Sequence, residues 1–340
     1  MRKLLSILIV ASLPVGAMEQ LDDFELSKVD GAGLGMVLED FIFDSNSADG
    51  ATLELSGIRG TRKTGSGTRV SGEAKLQVSR LYIAGAGSNR GTAALSGVDL
   101  GTVDKPYSIA VVDGDPYGVA GKALMQFAAP ERNAGQLLSF TQASRTGSSR
   151  FPGAPAASGS YVSGVSGINT AVLNGSEADW MDMGMVFDLD INGPVGQSLQ
   201  AHATGVNVDG SRLQLWGDGG DVLGNLRLNL FAKKLEFQAC NSGGASGCGT
   251  SVVFNNFVLQ AELGYGDEQP LNLSVLPDGQ FQLTLGSIAG KSAAFYNNYY
   301  ANGPRIDMHI GKIEVGNRDF GSSTIANMQI QYLNVRSRDL

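Results

Sequence analysis

The stretch LNLSVLPDGQFQLTL, residues 271–285, decides the fold class. Leu271, Leu273 and Val275 alternate with polar residues before its turn, and Phe281, Leu283 and Leu285 do so after it. Successive side chains of a strand point to opposite faces, so each run makes a strand with one apolar and one polar face. Between the runs, Pro277 presets one turn dihedral and Gly279 takes the position that needs a positive φ. The stretch therefore predicts an antiparallel hairpin.

The same period of two recurs outward in both directions. Met183, Met185, Phe187, Leu189 and Ile191 alternate with mostly polar or small residues, as do Leu226, Leu228 and Leu230, and Ile306, Met308 and Ile310. Asp-Gly or Asn-Gly pairs separate many of these runs, for example at 113–114, 192–193, 209–210 and 302–303. Such pairs close tight hairpin turns. Helical periodicity is close to absent; residues 117–128 fit either one short helix or a strand. One-sided strands suit antiparallel sheets wetted on one face, not buried parallel sheets. The expected fold class is all-β and mainly antiparallel: a large curved sheet, sandwich or roll, with short hairpins and little helix.

Of 340 residues 47 are Gly, about twice ordinary usage. Only 10 are Pro, and no G-X-Y period exists, so neither a low-complexity chain nor a collagen is implied. Lys and Arg number 25 against 33 Asp and Glu, for a net charge of −8. That balance opposes nucleic-acid binding, which needs clustered positive charge, and anionic membrane surfaces. Residues 1–17, MRKLLSILIVASLPVGA, read as a signal peptide: Arg2 and Lys3, then an apolar run, then Pro14 and small residues. The run is too short to span a bilayer as a helix. An N-terminal β region at 18–128 follows, then a Ser/Gly/Pro-rich loop or linker at 129–168, then a C-terminal β region at 169–340. The two β regions could form one continuous fold.

Candidate chemistry is sparse. Cys240 and Cys248 flank a Gly/Ser loop in a chain expected to meet an oxidising compartment, which predicts a disulfide. His202 and His309 each alternate with apolar neighbours and read as residues of a strand's polar face. GSIAGKS at 286–292 has one residue too few for a phosphate loop. DLDING, with Asp188, Asp190 and Asn192, matches the first half of a calcium loop but has Leu199 where the loop needs Glu. A strand and turn is the simpler reading, and no cofactor or metal is expected. Tyr296, Tyr299 and Tyr300, beside Phe295, read as a loop packed on a sheet edge or as a sugar-stacking or adhesive surface.

Three stretches carry a resemblance: LDDFELSKVDGAGLGMVLEDF at 21–41, LSGVDLGTVDKPYSIAVVDG at 95–114 and GSSTIANMQIQYLNVRSRDL at 321–340. The first resembles the mature N-terminus of a group of exported, largely uncharacterised proteins of Gram-negative bacteria. Some of these carry the designation of Fil-type pilus-associated proteins. The resemblance implies export to the periplasm, cell surface or medium, and protein partners of a surface or pilus assembly. It brings no catalytic residues.

The leading expectation is therefore an exported, non-enzymatic structural or assembly protein of the cell surface. One alternative is an outer-membrane β-barrel, whose alternation fits but whose spanning strands need about 9–11 residues. The other is a secreted hydrolase or carbohydrate-binding protein using acidic turns and the tyrosines.

Overall fold

The computed structural model describes residues 33–45, 53–64, 66–88, 95–131, 138–148, 157–168, 180–191, 197–241, 248–277 and 279–336. The stretch read as a signal peptide lies outside them, as does Asn192. In chain order the strands are β1 (Leu34–Met36), β2 (Leu38–Phe41), β3 (Phe43–Asp44), β4 (Leu53–Lys63), β5 (Arg69–Gly85), β6 (Val98–Leu100) and β7 (Tyr107–Asp113). Next come β8 (Ala123–Ala128), β9 (Leu138–Ser148), β10 (Ala157–Ile168), β11 (Met181–Ile191), β12 (Gln197–Asn207), β13 (Arg212–Asp218) and β14 (Asp221–Asn241). The last are β15 (Val252–Leu263), β16 (Leu271–Val275), β17 (Phe281–Leu285), β18 (Ile306–Val315), β19 (Arg318–Asp319), β20 (Ser323–Met328) and β21 (Leu333–Arg336). Helix α1 (Ala293–Asn302) lies between β17 and β18. The protein is all-β, and the pairings within its one large sheet are antiparallel.

The sheet is organised on β14, a strand of 21 residues. Its first half pairs with β13 on one side and with β16 on the other. Its second half pairs with β12, while β15 runs along most of the opposite side. From β12 the ladder continues through β11 and β5 to β4, and from β15 through β18 to β20. From β13 it continues through β8 and β7 to β1, and from β16 through β17 to β21. Strands from both sequence regions thus share one sheet, since β5 pairs with β11 and β8 with β13. Among the described residues no pairing joins β4 to β20, and the ladder is open.

The centre of β14 is covered on both faces. Phe231 packs with Leu138, Phe140, Val165 and Ile168 of the β9–β10 hairpin. Its neighbour Ala232 points the other way and packs with Val98 of β6 and Phe41 of β2. The hairpin corrects the expectation of a loop or linker at 129–168. Its few apolar residues, sparse in a Ser/Gly-rich stretch, are the ones that seat it on the sheet. At 117–128 the strand is the alternative present: a tight 3-10 turn at Asp115–Tyr117 is followed by strand β8.

The expected hairpin at 271–285 is present, with Leu271 opposite Leu285 and Val275 opposite Phe281. Leu271 and Leu285 are buried, but toward the turn the apolar side is exposed and its polar neighbour is not. Phe281 is 49% exposed and Gln282 9%; Leu199 is 47% exposed and Gln200 9%. Met125 on β8 is 46% exposed, whereas Gln214 on the adjacent β13 is 1% exposed. One apolar row runs through Leu34, Ile109, Phe127, Leu213, Leu226 and Leu263 on six neighbouring strands. The polar face, expected to be wet, is the one that carries the β9–β10 hairpin, and α1 closes over it.

The apolar pattern also changes phase along β14. Leu226, Leu228, Leu230 and Ala232 occupy even positions; Leu235, Phe237 and Ala239 occupy odd ones. The register places Gly205 of β12 and Asn256 of β15 opposite Lys233. Both are left-handed, with φ of 60° and 51°. Left-handed residues distort the regular pleat, and Ala232 and Leu235 join the same apolar cluster across this row.

On β11, Gly184 lies between Tyr82 of β5 and His202 of β12 in the ladder. A Cβ at Gly184 would collide with the Tyr82 ring. The bare backbone lets Tyr82 lie across the strand, and its hydroxyl hydrogen-bonds His202 Nδ1. At the far end of β14, Cys240 and Cys248 form the expected disulfide. Gly184→Val is expected to lower stability by about 1–3 kcal/mol through overpacking. In a Tyr82→Ala background the same substitution should cost much less, as chemical denaturation of the four variants will show.

Candidate functional site

The three tyrosines expected on a surface or sheet edge are core residues. Helix α1 begins at Ser292, whose Oγ accepts from Phe295 N at 3.2 Å. Phe295, Tyr296, Tyr299 and Tyr300 then fall at i, i+1, i+4 and i+5, one helical stripe. Tyr296, Tyr299 and Tyr300 are buried together with Ile288. Tyr296 OH donates to Ile288 O at 2.7 Å. Tyr299 OH donates to Gln269 Oε1 at 3.1 Å, while Gln269 Nε2 donates to Gly286 O at 2.7 Å. Their rings are therefore not an adhesive surface; they fasten α1 to the loops after β15 and β17.

The acidic candidates are strand and turn residues. Asp188 lies opposite Ser198 and Gln77, and Asp190 opposite Lys75. In the 216–221 turn, Asn272 Nδ2 donates to Asp221 at 3.0 Å, and Lys122 Nζ reaches Asp218 at 3.2 Å and Asp267 at 3.3 Å. The Asp218 hydrogen bond raises the Lys122 ammonium above its ordinary value. His309 Nδ1 lies 2.8 Å from Thr324 Oγ1, and burial lowers its pKa.

The feature that sequence reasoning missed is a cleft on the polar face. Alternate residues share a strand face, so Arg212 and Gln214 of β13, Asn225 and Arg227 of β14, and Gln260 and Glu262 of β15 face the same side. The 116–118 turn, the 264–268 loop and α1 stand around all of these but Gln260 in a cleft of about 700 Å³. A second cavity of about 310 Å³ adjoins it beneath Phe140 and Arg305. The two share Arg227, Glu262 and Asn302, and the Arg227–Glu262 ion pair at 3.6 Å stands where they meet.

Polar atoms of the lining brace one another. Asn298 Nδ2 donates to Tyr265 OH at 2.5 Å, and Asn302 Nδ2 to Asn298 Oδ1 at 2.9 Å. Arg305 Nε donates to Asp307 Oδ2 at 2.9 Å. Arg212 stacks on the Tyr117 ring at 5.2 Å, and Arg305 on Phe140 at 4.7 Å. Burial first, and the Glu268 charge second, raise the Tyr265 phenol and keep it a hydrogen-bonding hydroxyl. Amides, charged groups and aromatic rings make up most of the lining; neither histidine contributes to it. The polar positions of RLQLW, NLRLNL and QAEL were visible as alternation. Nothing in that alternation told a wet face from an enclosed one.

No family model, curated protein or solved structure matches the chain.

Burial, reinforced by the neighbouring Tyr300 and Tyr265, raises the Tyr299 pKa well above the ordinary value of about 10. The unfolded chain then releases this proton first, so stability holds below that value and falls as pH rises above it. Tyr299→Phe is expected to cost about 1–3 kcal/mol at neutral pH, since it leaves Gln269 Oε1 without its hydroxyl donor. It should also show a shallower alkaline loss, read from melting temperatures across the alkaline range.

Proposed function

We propose that the protein is an exported, non-enzymatic structural or assembly component of the bacterial cell surface, and that it works by associating through its apolar sheet face. The inverted burial carries this reading. Leu34, Val111, Met125, Val275, Phe281 and Leu199 are exposed, and beside Leu199 and Phe281 the polar neighbours Ser198, Gln200 and Gln282 are buried. Exposed apolar area on this scale marks a surface that meets another apolar surface. The β2–β6 ribbon already lies on part of this face, so the face accepts protein segments. The disulfide is in keeping with export, as is the signal-peptide reading. The link to a pilus is the narrower form of the proposal and rests on the resemblance at 21–41.

A second reading, a protein embedded in the outer membrane, is favoured by one observation. Strands β4, β5, β11, β12, β14, β15 and β18 have at least 10 residues each. That meets the length which spanning strands need, and an apolar outward face is what lipid requires. The open ladder weighs against it, because a spanning sheet must close.

Fractionation of cells making the full chain separates the two. The structural reading expects release without detergent and recovery together with a surface partner. Release by detergent alone would establish the membrane reading, and retention in the cytoplasm would sink both. Deleting the gene should alter surface fibres if the pilus link holds; normal fibres and adhesion would remove that link.

A further inference from the structure

We propose that the cleft between α1 and the polar face of β13–β15 binds a neutral oligosaccharide. Its size falls in the range of small-molecule sites. The two cavities meet at Arg227, Glu262 and Asn302, so together they form one elongated path suited to a linear ligand. Aromatic rings stand along the path, Tyr117 and Phe295 in the larger cavity and Phe140 in the smaller, with Arg212, Lys291 and Arg305 respectively over one face of each. Sugar rings present C–H faces that stack on such surfaces, and their hydroxyls both donate and accept.

The carboxamides supply the matching groups. Asn225, Asn298 and Asn302 line the larger cavity, and Asn229 and Gln260 the smaller. Each carries donors and an acceptor in one plane. The hydrogen bonds between Asn302, Asn298 and Tyr265 hold Asn298 and Asn302 in place before a ligand arrives, which lowers the ordering cost of binding.

Charge selects the ligand further. Arg212, Arg227 and Arg305 stand in the lining with Glu262, Glu268 and Asp307, and Glu268 is already paired with Lys291 at 2.5 Å. Arg227 and Arg305 are paired with carboxylates, and Arg212 rests on Tyr117. With the other charges held in pairs, the pull on a phosphate or an acidic polymer is confined to Arg212. The sparse aliphatic lining, Leu226 with Ala294 and Ala301, gives little to a lipid tail.

The test is calorimetric titration of the mature chain with short, soluble cello-, malto-, xylo-, manno- and chito-oligosaccharides, alongside their uronic-acid counterparts. At least one neutral series should bind. Asn298→Ala and Tyr117→Ala should each weaken it at least about tenfold while keeping the native circular dichroism spectrum at the assay temperature; Tyr117→Ala should also lower the melting temperature, since Tyr117 packs against Val119, Leu124, Trp216 and Leu223. Asn298→Gln, which keeps the carboxamide, should retain more affinity than Asn298→Ala and guards against an unfolded variant. No binding by any neutral series, binding confined to acidic sugars, or full binding by both alanine variants would overturn the assignment. The outcome is independent of where fractionation places the protein, so each proposal can fail alone.

Discussion

Hydrogen bonding along β14 is the constraint on which the rest of the molecule depends. Its 21 residues are longer than any single neighbour, so different strands must satisfy its two halves: β13 and β16 at the start, β12 at the end. Backbone groups that no neighbour pairs would be costly wherever they are shielded from water. The shared strand makes the short-stranded and long-stranded parts one body. It also places both hairpin β9–β10 and ribbon β2–β6 near Phe231 and Ala232, where the two faces of one strand are covered from opposite sides.

The polar face is maintained by amides as well as by the apolar residues that seat the hairpin on it. Leu138 N donates to Gln260 Oε1 at 3.1 Å, and Gln260 Nε2 to Asn229 Oδ1 at 3.4 Å. Asn229 Nδ2 donates to Asp209 O at 3.2 Å. Gln269 plays the same part under α1. A buried amide contributes little net stability when satisfied and costs about 1–3 kcal/mol when a partner is lost. Such a face is therefore specific in its arrangement, because misplacing one segment leaves several groups unpaired at once.

Most of the strand content was legible in the alternation, and the turn at Gly279 and the disulfide were legible in short motifs. The fold class follows from them because period two is a local property. Helix α1 was hidden by asparagines set among its tyrosines, although Phe295, Tyr296, Tyr299 and Tyr300 share one stripe. The β9–β10 hairpin was hidden because Ser and Gly outnumber the residues that seat it. Which face looks inward was not legible at all. Alternation separates two faces without ranking them, and the ranking comes from segments far away in sequence, such as Leu138 against Phe231. The cleft shares that origin: Tyr117, Arg227 and Asn298 meet only through tertiary folding.

The row of Gly205, Lys233 and Asn256 divides the sheet much as a dislocation divides a crystal. On each side the residues follow a regular rule, but the rule shifts by one position on crossing the row. The two sides behave like separate reading frames of the same period. Losing one residue from β14 near this row would bring the sequence back into a single frame while turning one half of the sheet inside out. Length changes are thus tolerable in the turns between strands. Within this row they require compensation in β12, β14 and β15 together, which gives the middle of the molecule a fixed count as well as a fixed composition.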